Sequence, residues 1–287
     1  MLPTLIDGLS LGAIYALIAL GYTMVYGIAK LLNFAHGDII MIGAYAVFAT
    51  LLLDGSAAMK ICAVLVSVLI CTLLGIGVEK FAYRPLRGAS PLAVLITAIG
   101  VSYLLQGIAQ LAFGAKSQPV DFSIKGNLFG INYSTIITLV VATIIMVGLT
   151  LFVKYTKTGR AMVAVSEDRA AAQLMGINVN AIITITFAIG SALAACASIF
   201  YLMQIPAVSP TLGSMPGIKA FTAAVIGGIG SIPGAMLGGV LLGVIEKITL
   251  SIPALAPYTT AIEFGLLIII LLVKPTGILG KKRREKV

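Results

Sequence analysis

A polytopic all-α membrane protein is the fold class this sequence predicts, on three observations. Of 287 residues, 60% are hydrophobic and 10% are charged, whereas a soluble domain carries about 25% charge. Apolar runs repeatedly exceed the ~18 residues that mark a bilayer-crossing helix. The alternating ~10-residue segments of a β-barrel are not seen. Residues 1–287 read as a single transmembrane domain with spans at 5–28, 37–53, 61–82, 93–113, 134–153, 182–204, 217–230, 234–249 and 258–273. At ~1.5 Å per residue, 37–53 and 217–230 reach only ~20–25 Å. Each is expected to be short, broken or re-entrant, which leaves about eight or nine membrane helices.

Orientation follows from the basic residues. With 154–181 placed inside and the spans alternating from it, 14 of the 19 Lys and Arg fall inside, and Lys60, Lys116, Lys125, Lys219 and Lys247 fall outside. The positive-inside rule then predicts an external N-terminus and a cytoplasmic C-terminus. The opening MLPTLIDGLS has no basic segment and no A-x-A site, so no cleaved leader is expected. The net charge of +9 sits in a few loops and in the tail GKKRREKV. Topology and attraction to anionic lipid explain it without nucleic acid. Cys62 and Cys71 are ~13 Å apart along one helix, too far for a disulfide, and with Cys196 they are expected to be buried apolar fillers. His36 is the single histidine, so no metal-ligand cluster forms.

The first span carries Gly8, Gly12 and Ala16 four apart, a seam for close helix approach. The turn LLNFAHGDII follows. Asn33 or Asp38 fits a cap on the next helix; alternatively Asn33 and His36 line the inner mouth of a translocation path, since irregular polar backbone is tolerated only against protein or a water-filled cavity. In YRPLRGASP, Pro85 and Pro91 stop helices while Arg84 and Arg87 anchor the inner face. Ser102, Gln106 and Gln110 share one face of span 93–113 and should turn towards other helices or a path. The outer loop 114–133 reads as plain solvated chain, with a docking surface for an external protein as the alternative.

The segment 154–181 is the most charged polar interruption, with Lys154, Lys157, Arg160, Glu167, Asp168 and Arg169. Ser166 to Met175 lacks Gly and Pro and is expected to form one short helix stopped by Gly176. A short amphipathic helix between two spans suits docking of a cytoplasmic partner. Thr184, Ala188, Ser191, Ala195 and Ser198 make a small-residue stripe on span 182–204. IPAVSPTLGSMPG cannot be regular helix and should lie outside or partly re-enter. Gly230, Gly234 and Gly238 are four apart, as are Gly239 and Gly243, around a break at Ser231–Gly234; this suits a close-packed core near a path. Glu246 and Lys247 read as an exposed interfacial pair. Glu263 defaults to a functional hypothesis, with snorkelling or capping equally open.

No G-x-x-x-x-G-K-[ST] phosphate loop is present, and all ten acidic residues are expected near ends, in loops or in the tail. An ion-coupled carrier is disfavoured on that ground, and the docking helix gains weight. Five segments, GYTMVYGIAKLLNFAHGDIIMIGAY (21–45), YRPLR (83–87) with TAIGVS (97–102), GRAMVAVSEDRAAAQLMGIN (159–178), PGIKAFTAAVIGGIGSIPGAMLGGVLLGVIE (216–246) and KPTGILG (274–280), carry a resemblance through nearly the whole chain. The sequence resembles LivH-type permease subunits of bacterial ATP-binding-cassette importers for branched-chain amino acids.

That resemblance implies a multi-pass protein of the bacterial inner membrane. It would work with a second homologous permease, two ATP-binding subunits that hold ATP and Mg, and a periplasmic solute-binding protein, while binding no cofactor itself. Segment 166–178 is similar to the loop through which such permeases meet their ATPases. Glu167, Ala171, Ala172 and Gly176 approximate a Glu-Ala-Ala…Gly pattern, interrupted by Asp168 and Arg169; Arg160 belongs to the same loop. The candidate path residues are Asn33, His36, Thr97, Ser102, Gln106, Gly230 and Gly234. Urea, short amides or other amino acids are the alternative cargo, and an autonomous secondary carrier is the alternative mechanism.

Overall fold

Small residues and helix caps determine how this chain packs. The structure, a computed structural model, describes residues 2–31, 33–124, 126–128 and 130–280. The basic residues of the tail from Lys281 onwards, and Lys125, lie outside the described residues. Among the described residues, seven helices are long and apolar enough to cross a membrane, and a shorter apolar helix accompanies them. In order, the helices are α1 (Leu2–Ala29), α2 (His36–Leu51), α3 (Ala57–Val78), α4 (Pro91–Phe113), α5 (Tyr133–Tyr155), α6 (Lys157–Glu167), α7 (Arg169–Leu174), α8 (Val179–Gln204), α9 (Ser214–Gly227), α10 (Ile232–Ser251) and α11 (Thr259–Val273). The protein is a polytopic all-α membrane protein.

Helix starts follow the local sequence. Ser56, Ser90, Thr156, Asn178 and Ser231 each accept a backbone N–H with their side chains at the starts of α3, α4, α6, α8 and α10, satisfying an orphan donor of the first turn. After α3 the chain runs through a π-turn at Glu79–Tyr83 and a 3₁₀ turn at Arg84–Leu86.

Helix α1 is the central post: it is buried along nearly all of its apolar length, whereas α11 is largely uncovered. Its most extensive partner is α10. A methyl on Gly12 would come within 2.7 Å of Val240 Cα, and one on Gly8 within 3.0 Å of Val244 Cα. Gly239 and Gly243 of α10 in turn lie against the backbone at Ala16 and Gly12. The glycine series read separately on the two helices are therefore halves of one seam. The other face of α10 packs Gly234 and Gly238 on Gly227 and Ala223 of α9. The stripe on α8 is also a seam: Ser191 meets Gly75 of α3 and Ser198 meets Gly43 of α2. Without a hydrophobic drive between helices in lipid, such close van der Waals contact carries much of the association.

Several local expectations differ in outcome. The loop 114–133 is not plain coil. β1 (Gln118–Pro119) pairs antiparallel with β4 (Ala207–Val208), and β2 (Asn127–Leu128) with β3 (Ile131–Asn132), so backbone pairing ties that loop to the α8–α9 connection. Cys62 is exposed and only Cys71 is buried, with Cys196 intermediate. Gln110 is exposed, unlike Ser102 and Gln106, which are half-buried. KPTGILG folds back on α9: Ile278 and Leu279 donate their N–H groups to Ile226 and Gly227 carbonyls at 2.8 and 2.9 Å, the acceptors left open at the end of a helix.

Candidate translocation path and docking loop

Two helices begin part-way along the bundle, and their starts meet. Helix α1 ends at Ala29, and Lys30 turns the chain with φ 54°. The chain then climbs back before α2 opens: the ring of His36 lies against Gly21, eight residues before the end of α1, or about 12 Å. Gly37 faces the start of α9, where a methyl on it would come within 2.5 Å of the Gly213 carbonyl oxygen. Gly217 closes on Gly37 from the same side. Helices α2 and α9 thus point their N-terminal, positive dipole ends at one another. Discontinuous helices of this kind accompany binding sites in transporters. Both short runs are the ones that length marked as broken or re-entrant.

Aromatic rings floor this junction. Tyr22 contacts His36 at a ring-centroid distance of 4.7 Å and Phe221 at 5.8 Å, and Phe34 contacts Phe221 at 5.6 Å. Among the described residues none hydrogen-bonds His36 Nε2, although the side chain is buried. Neither Asn33 nor Asp38 caps α2; the cap position is Ala35, with no side-chain bond. Asn33 instead accepts from the Tyr83 hydroxyl at 2.8 Å. Asp38 accepts from Gln106 Nε2 at 2.8 Å, and the same amide donates to Ser102 Oγ at 3.3 Å. The structure therefore gathers Asn33, His36, Ser102 and Gln106 around the start of α2. It does not gather the rest: Thr97 is half-buried nearer the start of α4, Gly230 is an exposed turn residue with φ 93°, and Gly234 packs on Gly227.

A charged cluster is buried in the bundle; its acids lie near helix ends, as expected, but they are enclosed there and not exposed. Lys219 is buried on α9 and is not a residue of an outer loop. Its Nζ is 2.7 Å from Glu246 Oε1 and 3.2 Å from Glu263 Oε2. The Tyr15 hydroxyl donates to Glu246 Oε2 at 2.8 Å. Glu246 is thus no exposed partner of Lys247, and Glu263 neither snorkels nor caps; its side chain is 1% exposed. Four helices, α1, α9, α10 and α11, meet in this cluster. Another buried acid, Glu79, pairs with Arg87 and accepts from the Thr184 hydroxyl at 2.7 Å. Arg87 also donates to Asn180, so it clamps the α3–α4 turn to the start of α8. These ion pairs were missed because each partner, read alone, sits near a predicted span end.

The polar segment 154–181 forms two helices where one was expected. Asp168 has extended backbone, φ −152° and ψ 112°, and separates α6 from α7. Its carboxylate accepts from Ala170 N at 2.9 Å and Ala171 N at 3.0 Å, so the acid that interrupts the motif is the cap of α7. Gly176 stops α7 with φ 82°, a conformation open to Gly. Helix α6 buries Gly159, Met162 and Val165, and α7 buries Ala172. Arg160, Glu167 and Asp168 are exposed. Beside them Leu174 and Met175 are 89% and 82% exposed, an apolar pair held out on a rigid elbow. Arg169 points the other way, donating to the carbonyls of Ile28 at 3.3 Å and of Ala29. Burial and the nearby Arg87 charge lower its pKa.

The family described as branched-chain amino acid transport system / permease component matches residues 4–272. The chain belongs to this family. The permease is 47% identical to the high-affinity branched-chain amino acid transport system permease protein BraD of Pseudomonas aeruginosa, over 100% of this chain and 98% of that protein. It is 42% identical to the corresponding LivH protein of Escherichia coli, over 100% and 97%. Among solved structures, the permease resembles PsaBC from Streptococcus pneumoniae in complex with Fab, with TM-score 0.50, 17% identity and coverage of 96% and 92%. That last likeness concerns the fold alone.

Proposed function

We propose that this chain is the membrane-spanning permease subunit of an ATP-binding-cassette importer that moves branched-chain amino acids, Leu, Ile and Val, across the bacterial inner membrane. The observation that carries the reading is similarity along the entire chain to two proteins named for that transport, at 47% and 42% identity. Separate ATP-binding subunits hold ATP and Mg and dock on the α6–α7 elbow, which presents Leu174 and Met175. That end of the bundle is cytoplasmic, as the basic loops require. A second homologous permease completes the path, and a periplasmic solute-binding protein delivers cargo at the opposite end, where β1 and β4 pair.

Transport needs two states that ATP, through its subunits, and the loaded binding protein favour unequally. In this chain the elbow receives the movement. The α2–α9 junction, with two positive helix ends and aromatic walls, is closed at Gly37 and Gly213 here; in this reading the two helix starts part to let an amino acid pass. The selection of cargo lies mostly with the binding protein.

Proteoliposomes holding this chain with its candidate permease and ATPase partners, supplied with labelled leucine on the binding protein, test the reading. Uptake that needs every partner and ATP is expected. ATP-dependent uptake of urea or a short amide in place of leucine would change the cargo, and ion-driven uptake by this chain alone would overturn the mechanism.

A further inference from the structure

The elbow has two sides with different chemistry. Leu174 and Met175 face away from the bundle, whereas Ala172 is buried and the guanidinium of Arg169 reaches the last carbonyls of α1. We propose that Arg169 is a positioning residue for transport, the link through which movement of the docked elbow is passed to α1, and not part of the surface that docks. This deepens the docking assignment above and rests on it.

Three features make the link stiff. First, Arg169 is the opening residue of α7, and the Asp168 cap fixes the backbone from which it springs through two bonds, at 2.9 and 3.0 Å. Second, its target is a helix terminus whose final carbonyls have no intrahelical donor and which carries the negative end of the helix dipole. One guanidinium nitrogen, Nη2, donates to both carbonyls, and the planar group fixes the direction of its N–H bonds, whereas a lysine ammonium is a point charge on a loose stem. Third, α1 is held by its neighbours along the stretch that leads up to that terminus. Lys30 turns the chain immediately after it, and the helix is clamped to α10 through Gly8, Gly12 and Ala16. The same helix carries Gly21 and Tyr22, on which His36 rests. A displacement of α7 therefore reaches the start of α2 through one buried rod. Arg87, whose charge also acts on Arg169, is itself engaged by Glu79 and Asn180, and the carbonyls of Ile28 and Ala29 accept from Arg169.

The test uses the complete transporter, with all subunits co-expressed and reconstituted, carrying Arg169→Ala or Arg169→Lys. Three quantities are read: ATPase subunits co-purified per permease, ATP hydrolysed, and leucine taken up per ATP. For Arg169→Ala, co-purification is expected at the parental ratio and hydrolysis to continue, while leucine uptake per ATP falls at least several-fold. Arg169→Lys keeps the charge and should recover part of the loss. It also serves as the readout if the alanine variant does not accumulate, since uncoupling at intact co-purification is expected for it too. Uptake that falls only in step with lost ATPase co-purification would make Arg169 a docking residue and overturn the proposal. Parental uptake per ATP in both variants would overturn it as well. Failure of the unaltered chain to retain ATPases would remove the docking assignment itself, and the proposal with it.

Discussion

Lys219 Nζ and Glu246 Oε1 stand 2.7 Å apart inside the helix bundle. Because Glu263 also approaches Lys219 at 3.2 Å, one cation serves two buried carboxylates. Removing one partner of a buried ion pair costs about 3–5 kcal/mol, mostly from the charge left unpaired. Lys219→Met leaves both acids without their cation, while Glu263→Gln leaves the Lys219–Glu246 pair intact. We therefore expect Lys219→Met to lower the thermal midpoint of the detergent-solubilised protein well beyond the shift caused by Glu263→Gln. Equal midpoints for the two variants, or a Lys219→Met protein as stable as the parent, would show that the cluster contributes little.

That cluster also marks where reading the sequence stops. The helices were legible because each carries its own apolar length, and the glycine seams because spacing of four lies within one segment. The start and stop of α7 were half legible: Gly176 announces itself, but Asp168 reads as an interruption until its backbone bonds are seen. Lys219, Glu246 and Glu263 come from three helices, and Arg87 and Glu79 from the two sides of a turn. Such partners are fixed by how helices pack, which periodicity does not report. The meeting of Gly37 with Gly213 is illegible for the same reason, although the shortness of the two helices they open was not.

Glycine at the α1–α10 seam is a steric requirement. Gly12→Leu would drive a side chain into the backbone at Val240, where even a methyl approaches to 2.7 Å. Overpacking of this kind costs typically about 1–3 kcal/mol, and backbone contact offers no flexible neighbour to yield. Gly238→Leu meets the same fate against Ala223 of α9. Gly107→Leu on α4 has open space and should be tolerated. Thermal unfolding of the three variants should separate the first two from the third; tolerance at Gly12 would defeat the seam.

Docking on the elbow predicts a different phenotype. Leu174→Glu with Met175→Glu changes exposed side chains, so folding of the permease should be unaffected within about 0.5 kcal/mol. Charge placed in the middle of an apolar contact should cut ATPase co-purification several-fold, since such central contacts commonly contribute 2 kcal/mol or more, on the order of thirtyfold in affinity. Glu167→Lys should weaken it less, as a rim charge. Gly176→Pro adds a backbone failure, because proline fixes φ near −65° where this position needs 82° and removes the N–H that bonds Gln173 O at 3.0 Å. Full ATPase recovery with the Leu174/Met175 double variant would exclude the elbow as the docking surface.

The α2–α9 junction should govern transport without governing assembly. Gly37→Ala places a methyl within 2.5 Å of the Gly213 carbonyl oxygen, so the two helix starts must part by a few tenths of an ångström or more. His36→Ala leaves the contact of the helices intact but removes the ring that Tyr22 packs against at 4.7 Å. Both sites lie far from Leu174 and Met175 along α1, so ATPase co-purification should remain parental in each. If the junction lies on the path, leucine uptake should fall in both variants, more steeply in Gly37→Ala because backbone must move. A positional shift of even 1 Å in a functional constellation can cost on the order of a hundredfold in rate, so a loss of tenfold or greater is expected for Gly37→Ala. Parental uptake in both variants would place the path elsewhere and reduce the meeting of α2 and α9 to packing.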